Sequence, residues 1–152
     1  MTKTLVRNAV SADFPTLLKI DKASFPPGIA YDFVELSYFM RRKGARTLVA
    51  EVDGEIVGFL LLEIMSRRKA ATLVTIDIRA ERRRNGYGTE LLDRSEQILR
   101  EAGISRYELQ VDTANTSALE FYGKHGFVIV NTLKSYYANG NDAYLMVKEI
   151  SL

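Results

Sequence analysis

Glu81-Arg82-Arg83-Arg84-Asn85-Gly86-Tyr87-Gly88-Thr89-Glu90-Leu91-Leu92 is the stretch on which the reading of this chain turns. Ahead of it, Ala71–Ile78 (Ala-Thr-Leu-Val-Thr-Ile-Asp-Ile) is a run of apolar and β-branched residues long enough for a buried strand. Behind it, Leu91, Leu92, Ile98, Leu99 and Ala102 recur at helical spacing with charged and polar residues between them. The order is strand, basic glycine-containing loop, then the start of an amphipathic helix. Such a start suits an anion: the first amides of a helix have no intrahelical partners, and the aligned peptide dipoles place partial positive charge there. Glycines let the loop turn tightly and come close to a bulky ligand. The same residues also suit a solvated charge run and a plain turn. Arginines at a helix start oppose the dipole, however, so without an anion they cost a little stability. No Gly-Lys-Ser/Thr follows the glycines, which excludes a P-loop here, and the third glycine of a dinucleotide fingerprint is missing.

The surrounding chain reads as one domain over residues 1–152, with 47% hydrophobic residues and no linker, repeat or low-complexity tract. A net charge of +2 is too small to imply a nucleic-acid partner. With no cysteine there is neither a disulfide nor thiol chemistry, and the single histidine, His125, argues against a dedicated metal site. No apolar run approaches the roughly 18 residues of a membrane span, and no signal-peptide pattern opens the chain, so a soluble cytoplasmic protein without a membrane partner is expected. Leu5–Val10 reads as a first strand. Ser11 is the expected N-cap of a helix carrying Phe14, Leu17 and Leu18, with Pro15 in its first turn. That helix ends before Phe25-Pro26-Pro27-Gly28, and a second begins near Asp32. Thr47–Val52 and Glu55–Met65 form a hairpin through Asp53-Gly54, and Leu60-Leu61-Leu62 implies a strand buried on both faces. After the glycine-loop helix come strand Tyr107–Val111, helix Thr116–Lys124, and strands Phe127–Thr132 and Tyr144–Lys148. The class is α+β: a mixed, mostly antiparallel sheet of about 6–7 strands with helices on both faces.

Arg83-Arg84-Asn85-Gly86-Tyr87-Gly88 resembles the R/Q-x-x-G-x-G/A pyrophosphate motif of the GNAT N-acetyltransferase superfamily. Asn115, Ala118, Tyr122 and Gly126-Phe127 are similar to its N-x-x-A-x-x-x-Y-x-x-x-G-F signature. The weaker similarity runs from Leu5 to the C-terminus. Ser135-Tyr136-Tyr137 followed by Asp142-Ala143 looks like the RimI type, which acetylates protein N-termini. This resemblance implies the GNAT fold, acetyl-CoA as co-substrate, no metal, and transfer of acetyl to a primary amine within a ternary complex, by a monomer or homodimer. It implies that the backbones of Ile76 and Ile78 bind the pantetheine and acetyl groups. By the same resemblance Arg83, Arg84, Asn85, Gly86, Tyr87, Gly88 and Thr89 hold the pyrophosphate, and Asn115 contacts the pantetheine arm. Tyr122 becomes the acid that protonates the departing thiolate. Phe25, Tyr31, Gln110, Tyr136 and Tyr137 become candidates for the acceptor site.

Each of these residues also has a structural reading. Tyr122 with Ala118 and Leu119 makes a core stripe, and Asn115 makes a helix N-cap. The general base is open. Gln110 stands where a ribosomal-protein acetyltransferase carries a glutamate, and Thr72 where histone-type members carry theirs. Neither side chain accepts a proton at useful pH. Asp77, a carboxylate in an apolar strand, is the candidate base, with ordered water its rival. Asp21, Asp32 and Glu35 are too scattered to argue for a polyamine site. The expected enzyme acetylates a protein or peptide N-terminal α-amine. The alternatives are a small-amine acetyltransferase of polyamine or aminoglycoside type, and a non-catalytic acyl-CoA-binding module.

Overall fold

A computed structural model describes residues 4–152. Seven strands, β1 (Thr4–Asn8), β2 (Ala45–Val52), β3 (Glu55–Met65), β4 (Ala70–Ile78), β5 (Arg106–Asp112), β6 (Val128–Leu133) and β7 (Ala143–Glu149), form one sheet in the order β1-β2-β3-β4-β5-β7-β6. Every neighbouring pair is antiparallel except β4 and β5. Four helices cover it: α1 (Phe14–Ser24), α2 (Phe33–Met40), α3 (Tyr87–Glu101) and α4 (Thr116–Lys124).

Two apolar clusters fix the layers. Leu17, Ile20 and Leu36 of α1 and α2 pack with Val49, Phe59 and Leu61 on one face of the sheet. Leu91, Leu92, Leu99 and Tyr122 of α3 and α4 pack with Leu48, Leu60, Leu62, Tyr107 and Leu109 on the other. The three consecutive leucines of β3 are fully buried because the pleat sends Leu60 and Leu62 into one cluster and Leu61 into the other. Burying each contributes roughly 1.5–3 kcal/mol.

Local chemistry explains the element ends. Asp53 and Gly54 both have positive φ (51° and 78°), as a two-residue hairpin of the mirror-image type requires. Asp32 caps α2 in a reciprocal box with Glu35. At the first helix the expected Ser11 cap is replaced by Asp13, which closes a short 3₁₀ turn at Ser11–Asp13. Its carboxylate accepts from Val10 N at 2.8 Å and from Arg7 at 2.9 and 3.2 Å, and this donor set holds Asp13 below the usual carboxylate range. Ser11 loses because a carboxylate beside an arginine accepts several charge-assisted bonds, where a hydroxyl accepts fewer and weaker ones. The first strand is correspondingly short, stopping at Asn8 instead of Val10. No helix among the described residues is long and apolar enough to cross a membrane.

Candidate active site

The parallel junction is short. β4 pairs with β5 only where Ala70, Ala71 and Thr72 meet Arg106, Tyr107 and Glu108. Beyond it the strands part: Leu73–Ile78 have no β5 partner, while the far edge of β5 is fully paired with β7. A bulge sits where the pairing stops. Leu62 faces Leu73, and Leu61 faces Thr75, so Val74 is an extra residue in β4. The bulge shifts the alternation of the strand by one. Leu73, Ile76 and Ile78 join the α3–α4 cluster, whereas Val74 joins the α1–α2 cluster. Thr75 and Asp77 then face α1. Without the extra residue Asp77 would point at the opposite helices.

At the end of β4 the chain makes a 3₁₀ turn, Ala80–Arg82, and enters the glycine loop. Asn85 Nδ2 donates to the carbonyls of Arg82 (2.9 Å) and Arg83 (3.2 Å), folding the loop on itself. Arg84 and Gly86 are left-handed, with φ of 66° and 82°. A side chain at Gly86 would meet open space, so the backbone angle is what demands glycine there. No side chain caps α3, and the amides of Tyr87, Gly88 and Thr89 open its first turn. Arg83 and Arg84 are exposed beside them, whereas Arg82 is held by Glu55 at 3.3 Å. Free amides, a positive dipole end, the Arg84 guanidinium and that of Arg83, whose Nε donates to Ile78 O at 3.3 Å while its other nitrogens stay open among the described residues, suit a diphosphate. Gly88 has a different function: a Cβ there would sit 3.3 Å from Phe121, so glycine lets the start of α3 close against α4. Thr89 Oγ1 pairs with His125 Nε2 at 3.1 Å, and the imidazole lies 4.6 Å from the Phe121 ring. The hydroxyl of Thr89, a residue expected at the pyrophosphate, is thus engaged by His125, which the sequence marked only as too solitary for a metal site.

Asn115 caps α4 by accepting from Ala118 N at 3.2 Å, which leaves its amide nitrogen without a protein partner among the described residues. Tyr122, one face of the same helix, is 8% exposed and packed on Phe121 and Phe127. Its hydroxyl bonds to no described protein atom. Burial first, then the charge of Asp77 and the neighbouring Tyr107 and Tyr137, raise its pKa, so the phenol keeps its proton throughout the neutral range.

Asp77 is 2% exposed and its Oδ1 accepts from Thr75 Oγ1 at 2.7 Å. The group that answers it was passed over in the sequence. Asp21, fully buried in α1, accepts from Tyr31 N at 2.7 Å through Oδ2. Asp21 Oδ1 and Asp77 Oδ2 have no partner. Burial and the adjacent Asp21 carboxyl push Asp77 well above the ordinary carboxylate range, against the smaller pull of Thr75 and Arg83. Asp32 and Glu35, grouped with Asp21 in the sequence, are only a helix cap. The available signal was periodicity: Asp21 continues the buried stripe of Leu17 and Ile20.

Two loops wall the same face. Phe25 and Tyr31 line a groove with Lys22, Pro27, Ala30 and Asp32 between α1 and α2. Opposite, Tyr136 and Tyr137 stand edge to face at 5.0 Å in the β6–β7 connection, the first exposed and the second half-buried. The loops are tied together, since Ala138 N donates to Gly28 O at 3.2 Å. Gln110 is half-buried on β5 and alternates with Leu109 and Val111 of the α3–α4 cluster, so it faces the α1 side. Asp77 and Tyr137 thus lie near enough to both Tyr31 and Tyr122 to help raise the pKa of each phenol.

The model of the acetyltransferase (GNAT) family matches residues 12–127. An N-alpha-acetyltransferase of Sulfurisphaera tokodaii is 35% identical over 153 residues, covering 93% of this chain and 90% of that protein. The structure of Ard1 from Thermoplasma volcanium superimposes with a TM-score of 0.90 at 27% identity, over 98% of this chain and 99% of that one. The ribosomal-protein-S18-alanine N-acetyltransferase of Escherichia coli shares the fold, with a TM-score of 0.84 at 21% identity over 99% and 96% of the two chains.

Proposed function

The chain belongs to the acetyltransferase (GNAT) family, and from that premise we propose that its acceptor is the α-amine at the N-terminus of a protein or peptide. It is an acetyl-CoA-dependent N-acetyltransferase, and acetyl-CoA supplies the acyl group as an activated thioester. On this reading the backbone of Ile76 and Ile78, which has no β5 partner, binds the pantetheine arm as a strand would be bound, and Asn115 Nδ2 reaches it from the other wall. The amides of the α3 start with Arg83, Arg84 and Asn85 take the diphosphate. Tyr122 hands its proton to sulfur as the C–S bond breaks, and Asp77 accepts a proton from the amine.

The observation carrying the acceptor is the mouth of the site. Because the α1–α2 loop is hydrogen-bonded to the β6–β7 loop, the groove of Phe25 and Tyr31 lies beside Tyr136 and Tyr137, and on this reading the four form the entrance. A thin, extended chain end suits such an entrance better than a lysine on a folded surface. The named relatives, N-alpha-acetyltransferases among them, support the same acceptor. Gln110, facing the entrance, supplies an amide for the peptide backbone. A cytoplasmic setting goes with the reading, since acetyl-CoA and newly made N-termini meet there.

The test is thiol release from acetyl-CoA against short peptides, free lysine, polyamines and aminoglycosides. N-terminal peptides should have the highest kcat/KM, and Tyr137→Ala should raise KM for peptide while sparing acetyl-CoA affinity. A panel won by small amines, or unaltered peptide kinetics in Tyr137→Ala, sinks the reading.

A further inference from the structure

Two carboxyl groups buried side by side, each with one oxygen lacking a donor, are an unstable arrangement if both are ionised. Asp21 sits on α1 and Asp77 on β4; their outer oxygens are held by Tyr31 N and Thr75 Oγ1, and their inner ones by nothing. Unpaired buried charges of like sign repel in a medium that screens poorly. A proton held between the carboxyls supplies the donor both lack. Near them stand Arg83 from the glycine loop, which acts on Asp77, Tyr31 from the α1–α2 loop and Tyr122 from α4, with Tyr136 and Tyr137 of the β6–β7 loop beside those tyrosines.

We propose that Asp21 and Asp77 work as one unit that rests with a single shared proton, and that release of this proton to solvent leaves the doubly charged pair that receives the acceptor's α-ammonium and takes a proton from it, with Asp21 the positioning partner of Asp77. This rests on the proposed acceptor and explains how an enzyme without the usual glutamates deprotonates it. The balance closes. The ammonium gives its first proton to the ionised pair, which passes from two negative charges to one and so regains its shared proton, releasing it to solvent before the next turnover. The nitrogen then forms its bond to the acetyl carbon as the C–S bond breaks, and Tyr122 protonates the sulfur. The second proton lost from nitrogen restores Tyr122.

The same chemistry selects the acceptor. An α-ammonium (pKa near 8) gives up its proton about 2.5 units more readily than a lysine (near 10.4), a roughly 300-fold difference in the transfer equilibrium. A pair tuned upward by its own repulsion is matched to the former.

The experiment uses the full chain labelled with ¹³C at aspartate carboxyl carbons, titrated by NMR, beside the pH profile of kcat/KM for an N-terminal peptide. In the wild type the two carboxyls should titrate together, with an upper step above the ordinary carboxylate range. Asp21→Asn should leave a single step at least one pH unit lower. The acid limb of kcat/KM should follow that step down, with the plateau reduced roughly 10-fold as the base weakens. Asp77→Asn should lose the limb and roughly 10²–10³-fold in kcat/KM. A purely structural Asp21 would move neither profile. Independent titration of both residues at ordinary values overturns the pair, as does an unmoved limb in Asp21→Asn. The wild-type titration decides even if a variant fails to fold. If the carboxyls are coupled but small amines outpace peptides, the acceptor reading fails and the pair remains; if peptides win and the carboxyls titrate apart, the pair alone fails.

Discussion

On the proposed mechanism, Tyr122 serves packing and chemistry at once. Its ring is core, wedged between Phe121 and Phe127, and only its oxygen is free of protein partners. Tyr122→Phe therefore separates the two functions: the protein should fold and bind acetyl-CoA as before, yet lose roughly 10²–10⁴-fold in kcat. Steady-state kinetics beside calorimetric acetyl-CoA binding checks this, and near wild-type turnover would leave the tyrosine a core residue only. Its identity was legible because it falls seven residues after Asn115 in a recognisable pattern. Asp21 was not. An aspartate in a helix reads as solvated unless its periodicity is taken literally, and what makes it matter is a strand more than fifty residues away.

At the scale of elements, the helices and turns follow local chemistry. Helix Thr116–Lys124, the Asp53-Gly54 hairpin and the Asp32 cap came from residues within a few positions of one another. The Val74 bulge did not, because an alternation read along one strand carries no record of how many residues the neighbour opposes to it. That single extra residue decides which face Asp77 serves. The tie between the two mouth loops was equally hidden, since it joins segments about 110 positions apart. It hangs on Gly28, which has φ of 88° and whose Cβ would lie 2.8 Å from Asn139 N. Gly28→Ala adds backbone strain of roughly 1 kcal/mol and pushes the β6–β7 loop away. The expected outcome is a several-fold higher KM for peptide, with acetyl-CoA affinity nearly unchanged and stability lower by roughly that 1 kcal/mol. A peptide KM equal to that of wild type would show that the loops do not need each other.

As a whole molecule, the sheet is two half-sheets, β1 to β4 and β5 with β7 and β6, joined by a three-residue parallel contact. The fold class and strand count follow from the sequence because each half is built of hairpins and the β4–α3–β5 crossover. The width of the join does not, since pairing between distant strands is set by packing on both faces. Such a structure stores unused hydrogen-bonding capacity along Leu73–Ile78, and that has a consequence for timing as well as for binding. The gap-facing amides there, those of Ile76 and Ile78, should exchange with deuterium within seconds to minutes in the free protein and slow at least tenfold with acetyl-CoA, while the alternate amides bonded to β3, and those of β2, stay unchanged. Saturation at about 100 times Kd adds roughly 2.7 kcal/mol, which corresponds to a Tm rise of roughly 5–10 °C for a chain of this size. Exchange over Leu73–Ile78 that ignores acetyl-CoA would mean that the gap is not filled. If it is filled, the substrate acts as a transient eighth strand: the two halves are stitched into one cooperative unit on each arrival and released from it on each departure, so the chain is most rigid during the turnover itself.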